Sequence, residues 1–573
     1  MLTTEETVTS LAPANLAPLD ALMLKADADP AFRSVMTGIL ILDGEPGWDR
    51  VVAAFEAATW KAPRLRQKVV APLLPVGPPQ WVADPAFDLG YHLRRVTAPA
   101  DGSLGQVLHA ASAAATAPFD RARPLWDATL YEGMPGGAAI VLRAHHALAD
   151  GLGALDILGA LLDLEPAPPA TPAPAETSAP ADTSAPAETS APAETSAPAE
   201  TSAPADTSAP ADTSAPADTS APADTSAPAD TSAPAETSAP ADTPASADIP
   251  PPTETPASAD TPAPAPAPIP TDTTPAGLLL DRLASAPQLP IGLLERNLSL
   301  GLAAARLMLQ PAESLAALTA WTGSLRRLMT APGASPSPLL AARGRARRFA
   351  TLDLPLAPLK QAAHAAGCTV NDAYLAALLG GFRRYQDKQG GPAADVPMAL
   401  PISVRGTAAG TGANQSGANQ FSASVLPGPA TLEDPVARMR AVAGLVRQAR
   451  SEPGLDAPAR LAPVLAQLPS AVTTLGLAAH ARRVDLQASN LMGAPVATYL
   501  AGQRVRRLYP FGPLPGIPVM VVLLSHDGTC CVGVNLDPAA VTDPPLFLAC
   551  LCEGFDEVLD GRAAATLTAG GEE

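Results

Sequence analysis

The chain of 573 residues has only five cysteines: Cys368, Cys530, Cys531, Cys550 and Cys552. An odd number of cysteines in so long a chain is not a disulfide framework, and their adjacent and alternate spacings do not match a zinc knuckle. We therefore expect these thiols to be reduced and partly buried, as is usual for a cytoplasmic protein.

Basic residues are also scarce, because 37 Lys and Arg stand against 56 Asp and Glu, for a formal net charge of −19. This balance argues against a basic nucleic-acid-binding protein, so no nucleic-acid partner is expected. No stretch approaches the length of a membrane span without a charge or a proline, and the first residues lack the positive start and apolar core of a signal peptide. The sequence predicts a cytoplasmic protein that is at most peripheral to a membrane.

One internal segment, residues 166–275, has few large apolar side chains and no Lys or Arg. It holds 27 of the 67 prolines and 16 acidic residues, largely as repeats of Ser-Ala-Pro-Ala-(Asp/Glu)-Thr. A proline every six residues prevents continuous helix and sheet, and too little apolar surface offsets the entropy of ordering. We expect a disordered, partly polyproline-like insert, which leaves only −3 of net charge on the other 463 residues.

The insert divides the chain into predicted segments. Residues 10–165 and 346–565 mix strand and helix patterns, which predicts two α/β subdomains with mixed sheets flanked by helices. Residues 276–345 predict a helical connector whose leucines and arginines fit either ordinary packing or contact with a membrane surface.

Individual elements follow from hydrophobic periodicity and capping residues. In the first subdomain we predict strands at 37–43 and 138–144 and a helix at 151–164. In the second we predict a helix capped by Asn371, a hairpin of strands 517–525 and 529–536 with a type I′ turn at Asp527-Gly528, and a helix that begins at Asp434-Pro435. The helix that begins at Asp434-Pro435 is expected to bury its valines and to expose Arg438, Arg440 and Arg447.

The sharpest feature is a pair of histidines, His145 and His146, followed by Asp150 and Gly151 where a strand meets an amphipathic helix. A histidine there can act as a general base near neutral pH, while an aspartate four residues later more often fixes the turn. Gly151 permits a close turn or a positive φ. Two alternatives remain: a solvated loop with coincidental histidines, and a metal site, for which no third ligand is evident. No bound metal is expected.

This His-His-Ala-Leu-Ala-Asp-Gly segment resembles the active-site signature of CoA-dependent acyltransferases with the chloramphenicol acetyltransferase-like fold. Further segments resemble the bacterial wax ester synthase/diacylglycerol acyltransferase family. They are 16–20, 81–93, 118–126 with Pro124-Leu125-Trp126, Val370-Asn371-Asp372, 401–405, 418–420 and Ser489-Asn490 with Gly493 and Pro495. The resemblance covers both predicted subdomains and implies that each has the chloramphenicol acetyltransferase-like architecture.

The sequence departs from the family pattern at three places. The repeat insert replaces a shorter connector, Ser525-His526 stands where the family tends to carry Ser-Tyr, and Leu-Met-Gly-Ala-Pro follows Ser489-Asn490. The last two departures fall near regions that could shape the acyl or alcohol channel, so they bear on substrate preference.

The resemblance implies transfer of an acyl group from acyl-CoA to a long-chain fatty alcohol or diacylglycerol, with no bound cofactor. It implies that His146 is the general base, that His145 and Asp150 with Gly151 hold the turn, and that the lipid product is made in peripheral contact with a membrane or lipid droplet. Supporting or substrate-binding residues would come from Asn371, Asp372, Arg405, Asn419, Asn490, Pro124, Leu125 and Trp126.

Several roles within this set stay open. Leu125 and Trp126 fit core packing better than substrate contact, Asn371 could be only a helix cap, and Asn490 only a turn residue. Arg405 is a candidate partner for Asp150. Two other functions also remain: a condensation-type enzyme that uses carrier-protein thioesters, and a non-catalytic lipid-droplet scaffold.

Overall fold

The computed structural model describes residues 13–71, 78–166, 319, 323–324, 326, 333–403, 421–452, 454–455, 461–462, 465, 468–560 and 564–570. These residues belong to one compact unit, to which chain segments 1–170 and 265–573 both contribute. The predicted insert and most of the predicted connector lie outside the described residues. No helix in the described part is long and apolar enough to span a bilayer.

The first half of the chain forms seven strands and five α-helices that the structure describes. The strands are β1 (Ala14–Asn15), β2 (Val35–Leu42), β3 (Gln67–Val70), β4 (Gln80–Ala83), β5 (Leu93–Thr97), β6 (Trp126–Met134) and β7 (Gly137–His145). The helices are α1 (Pro18–Ala26), α2 (Trp48–Lys61), α3 (Leu89–His92), α4 (Leu104–Ala114) and α5 (Gly151–Leu161).

The described part of the second half adds nine strands and five α-helices. The strands are β8 (Arg348–Pro355), β9 (Val396–Ser403), β10 (Phe421–Gly428), β11 (Leu486–Met492), β12 (Thr498–Leu500), β13 (Gln503–Phe511), β14 (Val519–His526), β15 (Thr529–Leu536) and β16 (Thr566–Ala569). The helices are α6 (Leu356–Ala365), α7 (Val370–Lys388), α8 (Pro435–Arg450), α9 (Ser470–Ala481) and α10 (Pro544–Leu559).

These strands form two large mixed sheets, which confirms the predicted fold class. One sheet has the order β12-β13-β2-β7-β6-β5 and the other β10-β9-β11-β14-β15-β8-β16, while β1, β4 and β3 form a small third sheet. The seven-stranded sheet is covered by α7 and α10, whose aromatic side chains Phe382, Phe547 and Phe555 are fully buried. Burial of such large apolar groups is the main stabilising term of this half.

The six-stranded sheet contains strands from both halves of the chain. β13 comes from the second half and pairs antiparallel with β2, with Tyr509 opposite Ile39 and Phe511 opposite Thr37. β12 continues the sheet on the far side of β13. The two halves therefore share one sheet, a feature that local sequence patterns did not predict.

The predicted strands and turn are largely confirmed. β2 and β7 occupy the predicted positions, and the β14–β15 hairpin turns at Asp527 and Gly528 with φ of 44° and 76°. Two consecutive positive φ values are the mark of a type I′ turn. The predicted helix at 151–164 ends earlier, at Leu161, because Leu162 has an extended backbone.

Two helix predictions need correction. Asn371 is not the cap of α7, because Thr369 is the N-cap and Asp372 completes a capping box with it. The cap of α8 is Asp434 as predicted, with its carboxylate accepting from two backbone N–H groups. On α8, however, Arg438 is fully buried rather than exposed, because Glu557 of α10 provides a partner for its charge.

Candidate active site

The two histidines lie where β7 ends, and backbone hydrogen bonds fix them from both neighbouring strands. The His145 N–H donates to the carbonyl oxygen of Leu125 at 2.9 Å, and the His146 N–H donates to that of Ser34 at 2.7 Å. Leu125 precedes β6 and Ser34 precedes β2, so the turn is held between the two strands that flank β7. Strand ends of this kind present side chains from a rigid base.

His145 is buried, and its ring makes contacts that hold the turn. Its Nδ1 accepts the N–H of Ala147 at 3.0 Å, and its Nε2 lies 3.7 Å from Oδ1 of Asp27. Burial raises the pKa of Asp27, but hydrogen bonding and charge attraction from His145 and Arg121 outweigh it and leave the pKa lowered. These contacts tie the turn to the end of α1.

Asp150 caps the helix that follows the histidines. Its Oδ1 accepts the N–H of Gly153 at 2.8 Å, which satisfies one of the free donors at the start of α5. A Cβ at Gly151 would lie 3.0 Å from Leu491 Cδ2, a tight approach that the leucine would have to relieve by moving. The φ of Gly151 is not positive, so a left-handed backbone does not require this glycine.

His146 instead lines a cavity of about 370 Å³ between the two large sheets. The walls come from β2, β7 and α5 of the first half and from β9, β11, β13 and β14 of the second. They are mostly apolar, and the large apolar side chains are Met36, Leu142, Leu152, Leu155, Ile157, Leu158, Leu400, Ile402, Val446, Leu491, Leu508, Phe511, Met520, Val522 and Leu524. A mostly apolar cavity with a few polar groups is the usual form of a small-molecule site.

The structure brings some of the predicted residues to this cavity. His146, Asp150, Gly151, Asn371 and Asn490 all line it, whereas His145 does not. Asn371 lies on α7 and Asn490 on β11, so two asparagines of the second half line the same space as the histidine from the first.

Other predicted residues lie elsewhere. Asp372 is buried and its Oδ2 accepts from the N–H and hydroxyl of Thr369 at 2.9 and 2.7 Å, which makes it part of the capping box of α7. Leu125 and Trp126 are buried in the core of the first half, and Pro124 is not among the lining residues either. Arg405 and Asn419 lie outside the described residues.

Trp126 belongs to an aromatic stack beneath the histidine turn. Its ring lies 4.6 Å from that of His92 in a stacked arrangement, and its Nε1–H donates to Leu65 at 2.8 Å. The His92 Nδ1 contacts the carbonyl oxygen of Trp126 at 2.7 Å, and burial lowers the pKa of His92. The stack supports β6 and with it the carbonyl that holds His145.

The two departures from the family pattern have different places in the structure. Leu491, in the Leu-Met-Gly-Ala-Pro segment, lines the cavity beside Asn490. His526 is buried but is not a lining residue, and its Nε2 pairs with the Thr498 hydroxyl at 3.0 Å. Of these two segments, only Leu-Met-Gly-Ala-Pro contributes a residue that lines the cavity.

Sequence reasoning missed several lining residues. Gln487 and Ser489 lie on β11, Arg450 ends α8, and Gly38 interrupts the apolar strand β2. A Cβ at Gly38 would meet no atom within 4 Å, so this glycine leaves open space. A glycine inside an apolar strand is a signal for such a place and could have been used.

Among the described residues, no three His, Cys, Asp or Glu side chains are grouped so that they could hold a metal ion. The polar residues that line the cavity include His146, Asp150, Asn371, Arg450, Gln487, Ser489 and Asn490, beside a mostly apolar wall.

Comparison with known proteins decides the family. The wax ester synthase/diacylglycerol acyltransferase catalytic domain matches residues 16–249 and 253–374, and the C-terminal domain of the same family matches residues 417–558. The chain belongs to this family. The predicted family is thus confirmed, as is the prediction that the chain is an acyltransferase.

Curated relatives and a solved structure agree with this family assignment. A Mycobacterium tuberculosis protein named as a diacylglycerol O-acyltransferase is 35% identical over 545 residues, which is 95% of this chain and 91% of the relative. A second such Mycobacterium tuberculosis protein is 25% identical over 529 residues, covering 89% and 82%. The wax ester synthase/diacylglycerol acyltransferase from Marinobacter aquaeolei VT8 aligns with a TM-score of 0.53 at 16% identity, covering 96% and 99%, and shares the fold.

Proposed function

We propose that this acyltransferase moves the acyl group of acyl-CoA to the hydroxyl of a long-chain fatty alcohol or diacylglycerol. The product would be a wax ester or a triacylglycerol. The observation that carries the proposal is that His146 lines a mostly apolar cavity, where a lipid hydroxyl can approach an imidazole. The names of the relatives support diacylglycerol as an acceptor.

His146 acts as the general base. It takes the proton of the alcohol as the hydroxyl oxygen attacks the thioester carbonyl carbon, and it returns that proton to the CoA sulfur as the C–S bond breaks. A positioned base contributes typically 10²–10⁴-fold to such a step. No acyl-enzyme and no bound cofactor are needed, since the attacking group is the acceptor itself.

Asn371 and Asn490 supply N–H donors to the carbonyl oxygen, which becomes negative in the transition state. Donors aimed at developing charge inside an apolar cavity are worth far more than in water. Asp150 and His145 position His146 and do not contact the reacting atoms. Asp150 caps the helix that follows His146, and His145 holds the turn.

The test is thiol release from palmitoyl-CoA, measured with hexadecanol, with dioleoylglycerol and without an acceptor. We expect acceptor-dependent release that falls at least 100-fold in His146→Ala. His109→Ala, which changes an exposed histidine of α4, is the matched control and should keep full activity. The proposal is contradicted if neither hexadecanol nor dioleoylglycerol causes thiol release.

Because acceptor and product both partition into lipid, we also propose that the protein works in the cytoplasm in peripheral contact with a membrane or lipid droplet. Flotation of the purified chain with phospholipid vesicles tests this. Recovery of all the protein in the unbound fraction would argue against it.

A further inference from the structure

A second cavity, of about 480 Å³, lies close to the histidine turn and is lined by arginines. Arg33, which precedes β2, lines it together with Arg345 and Arg347, which precede β8. We call it the arginine cleft. Its remaining wall includes Val35, Pro513 and Asn535, and no acidic residue is among its lining residues.

The described residues compensate the charge of the three arginines only in part. None of them forms an ion pair with a described residue. Arg347 donates from Nη2 to the carbonyl oxygen of Leu514 at 3.1 Å and Arg33 donates to that of Thr116, so their contacts are to neutral groups. The Nε of Arg33 is buried without a hydrogen-bond partner.

Burial lowers the pKa of Arg347, and Asp537 offsets this only in part. The Asp537 carboxylate accepts the N–H groups of Gly344 and Ala539 at 2.6 and 3.0 Å and does not form a direct ion pair with Arg347. The cleft therefore offers guanidinium groups whose charge an anion would stabilise. Guanidinium groups match phosphate oxygens with paired hydrogen bonds.

The arginine cleft adjoins the cavity that contains His146. Pro513 lines both spaces, and Gly512 lines the His146 cavity just before it. Val35 of the cleft and Met36 of the cavity are consecutive on β2 with side chains on opposite faces, so the two spaces meet at Pro513 and not through the sheet. Val35 is also the register partner of His145. A ligand could therefore place an anionic group in the cleft and a reactive group near His146.

We propose that the arginine cleft binds the phosphate groups of acyl-CoA. The pantetheine arm then passes Pro513 to bring the thioester to His146, and the acyl chain enters the apolar cavity. This inference rests on the proposed function, because it assigns one substrate of that reaction to a place. It makes Arg33, Arg345 and Arg347 residues that bind the donor rather than residues of the chemical step.

The first experiment measures binding without turnover. CoA is titrated into the full chain by calorimetry, and the double variant Arg33→Gln/Arg347→Gln should bind it at least tenfold more weakly, as expected for the loss of hydrogen bonds to charged groups. Arg506→Gln removes an exposed arginine of β13 whose partner is Asp43, and it should leave CoA affinity unchanged. Equal CoA affinity in the double variant and the original chain would overturn the proposal.

A single variant, Arg345→Gln, guards against misfolding, because Arg345 is exposed and its loss should not disturb the core. It should weaken CoA binding in the same direction by a smaller factor. The proposal is contradicted if Arg345→Gln binds CoA as tightly as the original chain and the double variant binds it more weakly only because its Tm is lowered.

The second experiment separates this inference from the proposed function. Palmitoyl-CoA is compared with palmitoyl-pantetheine, which lacks the nucleotide phosphates. The variants should raise KM for palmitoyl-CoA about tenfold with little change in kcat, and should reduce the preference for the CoA donor. Turnover with an unchanged preference refutes the cleft alone. If the original chain shows no turnover but the variants still bind CoA more weakly than it does, the proposed function alone is refuted.

Phosphate esters also occur in lipid headgroups, so vesicles of phosphatidylglycerol form a further arm. The variants should bind such vesicles as the original chain does. If they lose vesicle binding while CoA affinity is unchanged, the cleft belongs to a lipid headgroup and the proposal is wrong.

Discussion

At the scale of single residues, the shape of the cavity that contains His146 depends on Gly38, where a side chain would extend into open space. We expect Gly38→Leu to reduce the preference for C16 over C8 chains about tenfold, because added methylenes in a filled site cost about 1–3 kcal/mol. Chain-length series for acyl-CoA and for alcohol would show which chain passes Gly38.

The control for this substitution is Gly159→Leu. A Cβ at Gly159 would also meet no atom within 4 Å, but this glycine is exposed on α5 and does not line the cavity. Its replacement should leave both chain-length series unchanged. An equal shift in both variants would show that the effect is not local.

Asp485, just before β11, makes stability depend on pH. It is 1% exposed, and burial raises its pKa from 3.8 to about 6, although its Oδ2 accepts the N–H of Ser337. The unfolded chain releases this proton near pH 4 and the folded chain only near pH 6. The contribution of this group to stability is therefore fully present below about pH 4 and is lost as the pH rises to about 6.

Asp485→Asn should remove this dependence. At pH 7.5 the variant should be more stable than the original chain by as much as about 3 kcal/mol, and at pH 4 the difference should vanish. Urea denaturation at both pH values measures it. Asp156→Asn, at an exposed position of α5, should show no such pH-dependent gain. A gain of equal size at both pH values would refute the explanation.

These residues also show how far the sequence could predict the site. His146 and Asp150 could be found because adjacent histidines and an Asp-Gly pair at a strand end form a local pattern. The different roles of His145 and His146 were expected only from the family resemblance, whereas the contacts of His145 with Ala147 and Asp27 now give a physical basis for its place in the turn. The arginine cleft could not be predicted, because Arg33 and Arg347 are more than 300 residues apart.

At the scale of elements, a buried ion pair joins three helices of the second half. Arg438 of α8 lies 2.5 Å from Glu557 of α10, and Arg384 of α7 lies 2.9 Å from the same carboxylate oxygen. Helical periodicity predicted that Arg438 faces solvent, because charged residues on an amphipathic helix usually do. The prediction was wrong because the partner, Glu557, is supplied by a helix more than 100 residues away.

We expect Glu557→Gln to lower the free energy of unfolding by about 3 kcal/mol, since it leaves the buried charge of Arg438 without an anion. Glu553→Gln, on the same helix but with a half-exposed side chain, should cost less than about 1 kcal/mol. Chemical denaturation of both variants gives the comparison. Adding Arg438→Met to Glu557→Gln should recover much of the loss, and failure to do so would mean that packing, not charge, causes it.

At the scale of the whole molecule, the shared six-stranded sheet decides how the halves depend on each other. The sequence predicted mixed sheets and most strand positions, because alternation and turn residues are local signals. It did not predict that β13 joins β2, since a pairing across more than 450 residues leaves no local pattern. The division into segments 10–165, 166–275, 276–345 and 346–565 stays a prediction.

This arrangement predicts that the first half cannot fold alone. Without β13, strand β2 would become an edge with unpaired backbone groups and apolar side chains such as Ile39 and Ile41, which favours aggregation. No described strand lies between residues 171 and 264, so a cut there leaves every described strand intact. We expect fragments 1–170 and 265–573, expressed together, to co-purify and to retain acyltransferase activity.

Fragment 1–170 alone should be recovered mainly as aggregate. Co-expression with a version of 265–573 that lacks residues 498–511 should not rescue it, because that version cannot supply β12 and β13. Size-exclusion chromatography with thermal unfolding would measure both outcomes. A sharp unfolding transition of fragment 1–170 by itself would mean that β2 does not need β13, and that the shared sheet forms only after the first half has folded.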